Sequence, residues 1–354
     1  MRVTLPLAPL APVRLAGTPA QIGRGHGEKL RAAIHAFLDD GLCRLDRLLV
    51  PPPDRARLRD TIDRYGEAIA HGLPDIYAEI AGLAEGAGIG LRDALLIQIR
   101  REVQGFSRLT SAGDCSTICR QGPGGALLAQ TIDLNGDLDD HMTVLQIEHA
   151  GSGRRTLLLT FSGLLGYLGL NSDGLAVGLN LLLGGEWGPG IPPYLAIRHL
   201  LDTCADVASC LERLRELKLA SSRALTICDR REAAWVELLG GRMAVARGAA
   251  LAHTNHVLAP EFAGEDAINP FARMSSVKRL DACRAALGEL SAASDPETVM
   301  ALFAQAPIRK PDSGDIRRER TVGAVVMRPQ AGELYVRRGD PALSRTQAFG
   351  LMTA

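Results

Sequence analysis

The sequence is poor in aromatic residues, has no net charge and lacks any long hydrophobic run. Phe, Tyr and Trp make up 4 % of the 354 residues, which argues against a pocket walled by aromatic rings and favours an aliphatic or small polar ligand group. The 40 basic residues balance 40 acidic ones, so the charge gives no indication of a nucleic-acid partner. Polar residues and glycines interrupt the richest apolar stretch, so no membrane-spanning helix is predicted.

The seven cysteines are scattered, and none forms a CxxC pair. This usage fits neither a disulfide framework nor a zinc site and is typical of a reducing compartment. The N-terminal residues carry several prolines and a second arginine inside the would-be apolar region, unlike a secretory signal. We therefore expect a cytoplasmic protein that needs neither metal nor cofactor, with at least one cysteine present for its reactivity.

Two kinds of pattern divide the chain. Apolar residues recur at helical spacing from residue 18 to about residue 104, which predicts a mostly helical first third. Short apolar runs separated by turn signals follow from residue 115 onward and predict antiparallel strands. Helical patterns return at about 192–218 and 273–305. The change in composition at 105–114 is the internal boundary, and it falls immediately before Cys115.

Cys115 stands at an unusual place for a cysteine. A single cysteine in an apolar run is most often buried packing. Here, however, it opens the first strand after a helical segment, behind the residues Ser-Ala-Gly-Asp, where a self-processing enzyme places its nucleophile. The thiol would attack the carbonyl of Asp114, and the freed α-amine, with an ordinary pKa of about 7.7–8.0, would then serve as its general base.

Six fragments, taken in order and spacing, resemble the penicillin acyltransferase family of N-terminal-nucleophile hydrolases. They are IGRGHGEKL at 22–30, EIAGLAEGAGI at 79–89, DCST at 114–117, TIDLN at 131–135, GLNSDGLAVGLN at 169–180 and HTNH at 253–256. The resemblance implies an α+β fold, a four-layer αββα sandwich with a helical N-terminal prosegment. It also implies self-cleavage into a prosegment, 1–114, and a catalytic core, 115–354, which stay bound to each other. Asp114 departs from the glycine that penicillin acyltransferase has before its nucleophile.

The resemblance assigns three further catalytic residues. Asp133 follows the cysteine by eighteen residues and would hold the new α-ammonium, although its acidic surroundings are also typical of an exposed turn. Asn255 would stabilise the oxyanion, with an Asx turn as the alternative. Arg320 would favour the thiolate or anchor a carboxylate, with Arg317 and Arg318 as competitors.

The HTNH fragment has a second interpretation. His253 and His256 could bind a metal if the fragment were helical, but the preceding residues favour a strand, on which the two rings would not converge. No neighbouring carboxylate or cysteine completes a ligand set. The sequence therefore predicts no metal site here.

The leading hypothesis is an enzyme that hydrolyses a linear amide of a small N-acylated substrate through a Cys115 acyl-thioester. An acyl-CoA-dependent N-acyltransferase that uses the same thioester is the alternative, and a non-catalytic binding protein is a third. Glu186 and Trp187, on a Gly/Pro-rich loop, and Arg279, on a predicted helix, are candidates for substrate binding. The sequence leaves the oligomeric state open.

Overall fold

A computed structural model describes residues 7–105 and 115–352. Asp114 lies outside these residues. The N-terminal part begins with a strand that the sequence patterns did not predict, and helices follow it. They are β1 (Pro12–Gly17), α1 (Pro19–Lys29), α2 (Arg31–Asp39), α3 (Gly41–Leu48), α4 (Arg55–Gly72), α5 (Pro74–Ala87) and α6 (Leu91–Gln104).

Local capping chemistry sets where these helices begin and end. The Thr18 side chain accepts from the Gln21 N–H, and the Gln21 side chain accepts from the Thr18 N–H, which together form a capping box at the start of α1. Asp54 caps α4 in a similar way, accepting from the Arg57 N–H at 2.8 Å. Gly88 ends α5 in the left-handed conformation, which a glycine adopts without strain.

The rest of the described chain alternates strands with two pairs of helices. The strands are β2 (Thr117–Gly122), β3 (Gly125–Leu134), β4 (Met142–His149), β5 (Arg155–Phe161), β6 (Leu168–Asn171), β7 (Ala176–Leu181), β8 (Arg223–Cys228), β9 (Ala233–Leu239), β10 (Arg242–Arg247), β11 (Ala250–His253), β12 (Arg320–Arg328), β13 (Glu333–Arg338) and β14 (Thr346–Gly350). The helices are α7 (Pro193–Thr203), α8 (Val207–Glu216), α9 (Pro270–Glu289) and α10 (Pro296–Phe303).

Two sheets pack face to face. One has the strand order β1-β4-β5-β6-β7-β8-β9-β10 and the other β11-β2-β3-β12-β13-β14. All described strand pairs are antiparallel except β1 with β4. Strands β2 and β3 contact β7 and β8 across the interface, α7 covers the first sheet, and α9 and α10 cover the second. The αββα sandwich is thereby confirmed.

The glycines of the two prosegment motifs let α1 and α5 pack backbone against backbone. A Cβ on Gly23 would lie 1.9 Å from the Glu79 carbonyl oxygen, and one on Gly86 would lie 2.0 Å from the Arg24 carbonyl oxygen. No side chain fits at such distances, so glycine is required for close approach. These two motifs therefore have a packing role.

Buried charges join the prosegment to the core. Arg198 on α7 donates to both carboxylate oxygens of Glu79 on α5, at 2.9 and 2.8 Å, and through Nε to Asp202 at 2.7 Å. Glu79 and Arg198 are buried, so removal of Arg198 would leave the Glu79 carboxylate without this partner in a low-dielectric interior. Among the described residues, no helix is both long and apolar enough to cross a bilayer.

Candidate active site

Cys115 lies two residues before β2, beside the end of β3. The Asp133 N–H donates to Sγ of Cys115, with N and Sγ 3.4 Å apart, and Sγ lies 3.7 Å from the Asp133 carbonyl oxygen. Thr131 supports this arrangement because its Oγ1 accepts from the Ser116 N–H at 3.0 Å and lies 3.5 Å from Asp133 Oδ2. Both Cys115 and Asp133 are buried. The antiparallel pairing of β2 with β3 thus brings together two residues that are eighteen positions apart.

Two side chains hold the main-chain carbonyl of Cys115. Asn180 Nδ2 donates to it at 2.9 Å, and Arg279 Nη1 donates at 2.7 Å. Arg279 also donates to Ser116 Oγ at 3.0 Å and to Asn255 Oδ1 at 2.9 Å. Since Arg279 is fully buried on α9, it orients the nucleophile residue and Asn255 together. Sequence reasoning missed Asn180, although it ends the GLNSDGLAVGLN fragment.

Asn255 is fixed on the loop after β11. Its N–H donates to Ser276 Oγ at 2.8 Å, and its Nδ2 donates to the Leu181 carbonyl at 3.0 Å. Because an amide NH₂ has two N–H donors, the bond to Leu181 leaves a second donor for another acceptor. Leu181 itself lines the cavity that contains Cys115, so this amide lies next to the cavity wall.

The two histidines of the HTNH fragment bind protein groups on separate elements. His253 Nε2 lies 2.8 Å from Glu237 Oε1 on β9, and His256 Nδ1 lies 2.8 Å from Ser276 Oγ on α9. Burial lowers the pKa of His256 to about 4, so its ring is neutral at pH 7. Their bonds to Glu237 and Ser276 anchor the loop that carries Asn255.

Arg320 binds the loop that follows Asp133. Its Nε donates to Asp137 Oδ1 at 2.8 Å and its Nη2 donates to Asp139 Oδ1 at 2.6 Å. Although burial alone would lower the pKa of Arg320, these two carboxylates raise it above the ordinary arginine value. Arg320 opens β12, one position before Thr321, the cross-strand partner of Asp133. The structure therefore brings Arg320 near Asp133 along the strands and directs its guanidinium to Asp137 and Asp139.

Cys115 and Asp133 line a cavity. Its empty space is about 810 Å³, a volume that includes the part open to solvent. Much of its wall is aromatic, formed by Phe37, Phe161, Tyr167 and Tyr194. The Tyr167 ring centroid lies 5.2 Å from that of Phe161 and 5.1 Å from that of Tyr194. The expectation that no aromatic rings would wall the pocket is thus wrong, because the fold concentrates the chain's few aromatic residues here.

The N-terminal helices supply part of the cavity wall. Phe37 comes from α2, and α6 contributes Ile97, Arg100, Arg101 and Gln104. The remaining aliphatic lining is formed by Leu134, Leu138, Leu164, Leu179 and Leu181, and the remaining polar lining by Asn135, Arg223 and Glu319. The cavity therefore depends on residues from both sides of the predicted cleavage point.

Glu186 and Trp187 face different surroundings although they are adjacent in sequence. The Trp187 ring lies 5.2 Å from the guanidinium carbon of Arg101 and 5.5 Å from that of Arg223, so it packs against two residues of the cavity wall. Glu186 is exposed and lines a separate surface pocket with Ser221 and neighbouring residues.

Comparisons with known proteins find similarity to a family of acyltransferases. The profile of the family described as acyl-coenzyme A:6-aminopenicillanic acid acyl-transferase matches residues 120–342. One relative, the 40 kDa form of acyl-coenzyme A:6-aminopenicillanic-acid-acyltransferase from Emericella nidulans, is 25 % identical over 260 residues, which cover 72 % of this chain and 71 % of the relative.

Solved structures with limited similarity include two hydrolases. A mutant of the conjugated bile acid hydrolase from Clostridium perfringens has a TM-score of 0.48 at 11 % identity, covering 67 % of this chain and 92 % of the other. Penicillin V acylase from Agrobacterium tumefaciens has a TM-score of 0.47 at 13 % identity, covering 67 % and 86 %. Because the family profile spans well over half of the chain, the resemblance inferred from the sequence is confirmed, and the chain belongs to the acyl-coenzyme A:6-aminopenicillanic acid acyl-transferase family of enzymes.

Proposed function

We propose that this protein is a self-processing cysteine amidohydrolase that cleaves a linear amide of a small N-acylated substrate through a Cys115 acyl-thioester. The observation that supports this most directly is Sγ of Cys115 in the wall of a mostly apolar cavity, with the Asp133 N–H donating to it at 3.4 Å. A main-chain N–H favours the thiolate over the thiol, and the thiolate is the nucleophile.

Maturation precedes catalysis in this proposal. The Cys115 thiol attacks the carbonyl carbon of Asp114, the C–N bond breaks, and the nitrogen leaves as the α-amine of Cys115. Water then hydrolyses the thioester, which regenerates the thiol and leaves a carboxylate on Asp114. Arg279 and Asn180 both donate to the Cys115 carbonyl. These two hydrogen bonds hold Cys115 by its carbonyl group while the peptide bond between Asp114 and Cys115 breaks.

The same nucleophile then turns over substrate. The α-amine of Cys115 takes the thiol proton, Sγ attacks the substrate carbonyl, and the leaving amine takes that proton as the C–N bond breaks. Water attacks the thioester and releases the acid. Asp133 holds the α-ammonium by a charge-assisted hydrogen bond. The second N–H of the Asn255 amide stabilises the oxyanion, a contribution of about 2.7–4 kcal/mol in comparable enzymes.

We propose positioning roles for both arginines. Arg279 acts through the Cys115 carbonyl and Asn255, as its two hydrogen bonds indicate. Arg320 acts through Asp137 and Asp139, which belong to the loop after Asp133. Neither role requires a cofactor, because the thiol and the α-amine supply the nucleophile and the base.

Acyl transfer is the second candidate. It shares every step up to the thioester and differs only in whether water or an amine attacks the acyl group. Family membership and the acyltransferase of Emericella nidulans favour it. Aromatic and aliphatic side chains form much of the wall near Cys115, and an apolar wall favours attack by a bound amine over attack by water.

A trapping experiment tests the shared step. The protein is incubated with N-phenylacetyl amines, the thiol ester phenylacetyl-CoA and N-acyl amino acids, quenched in acid, and the fragments are weighed by mass spectrometry. We expect an acyl group on Cys115 in the wild type and none in Cys115→Ala, with Cys204→Ala as a matched control that keeps the adduct. Addition of an acceptor amine separates transfer from hydrolysis by the product formed. A wild-type protein that turns over substrate without any adduct on Cys115, with Cys115→Ala equally active, would refute the proposal.

A further inference from the structure

The cavity wall includes a cluster of two arginines and one glutamine, Arg101, Arg223 and Gln104. We infer that this cluster binds a carboxylate carried by the substrate, so that the natural substrate is an acidic amide. The inference rests on the proposed function only in taking the cavity as the substrate site.

Each member of the cluster is buried and has side-chain atoms without a hydrogen-bond partner, although Arg223 Nη1 donates to the Ser222 carbonyl at 2.7 Å. Arg101, Arg223 and Gln104 are exposed by 8 %, 1 % and 1 %. Within the described ranges, Nη1 and Nη2 of Arg101, Nη2 of Arg223 and both amide atoms of Gln104 have no hydrogen-bond partner. Buried guanidinium groups without acceptors are costly, and proteins otherwise avoid them. Several N–H donors thus line the same cavity as Cys115.

Acidic groups lie near the cluster, and Glu102 forms an ion pair with Arg223, but within the described ranges none of them accepts a hydrogen bond from Nη1 or Nη2 of Arg101. Glu102 accepts from Ser221 Oγ at 2.8 Å and lies 3.7 Å from Arg223 Nη2, too far for a hydrogen bond. Burial raises the pKa of Glu102, and the nearby Arg223 charge opposes this shift. Glu319 and Asp133 also line the cavity, and Asp133 is assigned to the α-ammonium of Cys115.

Arg101 keeps its charge at neutral pH. Burial, with the nearby Arg223 as a smaller cause, lowers the pKa of Arg101 to about 10, still well above pH 7. The repulsion between the two guanidinium groups is relieved when an anion lies between them. Trp187 contacts both groups, since their carbon atoms lie 5.2 and 5.5 Å from its ring centroid. The Trp187 ring therefore holds the two guanidinium groups next to each other.

A carboxylate at one end of an otherwise apolar molecule fits this cavity. Two guanidinium groups present planar sets of N–H donors that match carboxylate oxygens, and the Gln104 amide adds a further donor. The remaining wall is largely aromatic and aliphatic and suits an apolar acyl group. Neutral amides would leave the arginine donors unsatisfied and bind more weakly.

Trp187 supplies a binding signal that needs no turnover. The chain has two tryptophans, so Trp235→Phe leaves Trp187 as the sole fluorophore. This variant is titrated with N-phenylacetylglycine and with its neutral match, N-phenylacetylglycinamide. We expect a saturable change in Trp187 emission with the acid and an affinity about 10-fold or more higher than for the amide.

Four substitutions in the same background complete the test. Arg101→Gln and Arg223→Gln should reduce the preference for the acid to about 3-fold or less, whereas Arg59→Gln, exposed on α4, should leave it unchanged. Arg101→Lys keeps the charge without the planar fork and should give an intermediate preference. Equal affinity for acid and amide in the Trp235→Phe protein would overturn the inference, as would a preference that survives both glutamine substitutions. Hydrolysis of both compounds at equal rates would refute the anion site alone, while acid-selective binding without hydrolysis would refute the amidohydrolase alone.

Discussion

Arg279 donates from Nη1 to the main-chain carbonyl of Cys115 at 2.7 Å. The same guanidinium reaches Asn255 Oδ1 through Nη2 at 2.9 Å. One buried side chain on α9 therefore fixes two residues that belong to different strands and loops. Hydrogen bonds that involve a charged donor contribute about 1.5–3 kcal/mol each, so their loss should be measurable in both maturation and catalysis.

Arg279→Gln should slow self-cleavage by about 10-fold or more, because the shorter neutral amide cannot bridge Cys115 and Asn255. The self-cleavage rate of Arg279→Lys should fall between those of this variant and the wild type, since an ammonium keeps the charge but lacks the planar set of donors. The time course of fragment formation on a denaturing gel measures the effect. Arg284→Gln, exposed on the same helix, is the control. Cleavage of Arg279→Gln at the wild-type rate would remove the positioning role.

The second prediction separates Asp133 from Arg320. Asp133→Asn keeps the size but loses the charge that holds the new α-ammonium, so we expect the uncleaved precursor to accumulate. Arg320→Lys should cleave at a nearly normal rate and turn over poorly, because lysine keeps the charge but cannot hold Asp137 and Asp139 in a planar fork. Intact mass and the rate of acid release report the two effects.

Arg317→Gln is the matched control for Arg320. Arg317 is exposed and pairs with Asp315 at 3.0 Å, and an exposed ion pair of this kind contributes little. We expect normal cleavage and turnover. If Arg320→Lys resembles Arg317→Gln in both assays, Arg320 has no role in self-cleavage or in turnover.

The sequence predicted much of the architecture because its signals are local. Short apolar runs and turn residues indicated most strands of both sheets, and the resemblance to the family assigned Asp133, now found on the strand that pairs with β2. The strand β1 escaped prediction because six residues beginning at a proline carry no periodic signal, and its paired residues on β4 lie 132 positions away in sequence.

The parts of the site that sequence reasoning missed come from long-range packing. Asn180 reaches the Cys115 carbonyl only because β7 lies against β2 and β3 across the two sheets. Arg101 from α6 and Arg223 from β8 both contact the Trp187 ring, and no local sequence pattern predicts these contacts. Overall aromatic content likewise gave the wrong expectation for the cavity wall, because composition carries no information about where the rings gather.

The third prediction concerns the fate of the prosegment. We expect fragments of 114 and 240 residues, whose sum is the 354-residue chain, that stay associated under native conditions. The pairing of β1 with β4 and the Arg198–Glu79 ion pair both cross the cleavage point, and α6 lines the cavity. Intact-mass spectrometry after denaturation, with native size exclusion, tests it. Active preparations that contain only the full-length species would show that cleavage is dispensable.

The fourth prediction tests the close packing of α1 against α5. Gly23→Ala should lower the free energy of unfolding by about 3 kcal/mol, because its Cβ would lie 1.9 Å from a backbone oxygen and neither helix can shift alone. Urea unfolding of the uncleaved Cys115→Ala protein, which is a single chain, gives the measurement.

Gly25→Ala on the same helix is the control. Its nearest neighbour would be Leu15 Cδ2 at 3.4 Å, which is ordinary contact, and alanine favours helix over glycine by about 1 kcal/mol. We therefore expect Gly25→Ala to be neutral or stabilising. Equal effects of the two substitutions would mean that the glycines act through helix propensity rather than through close approach.

His26 on α1 is a buried titratable group outside the active site. It is fully buried, and neither ring nitrogen has a hydrogen-bond partner among the described residues. Burial, with the Arg198 charge as a second cause, lowers the pKa of His26 from 6.5 to about 3. The native state therefore keeps this ring neutral at pH values where the unfolded chain binds a proton.

His26→Leu should make the protein less sensitive to acid. Because the pKa of the folded state is the lower one, the contribution of His26 to stability is complete above pH 6.5 and declines as the pH falls toward 3. Between pH 6.5 and pH 5 the decline amounts to about 2 kcal/mol. In the uncleaved Cys115→Ala background, His26→Leu should lose that much less stability over this interval, while His71→Gln, exposed at the end of α4, should behave as the parent does. Urea midpoints measured at both pH values give the loss of stability for each protein. If His26→Leu loses as much stability as its parent between these pH values, His26 is accessible to protons in the native state.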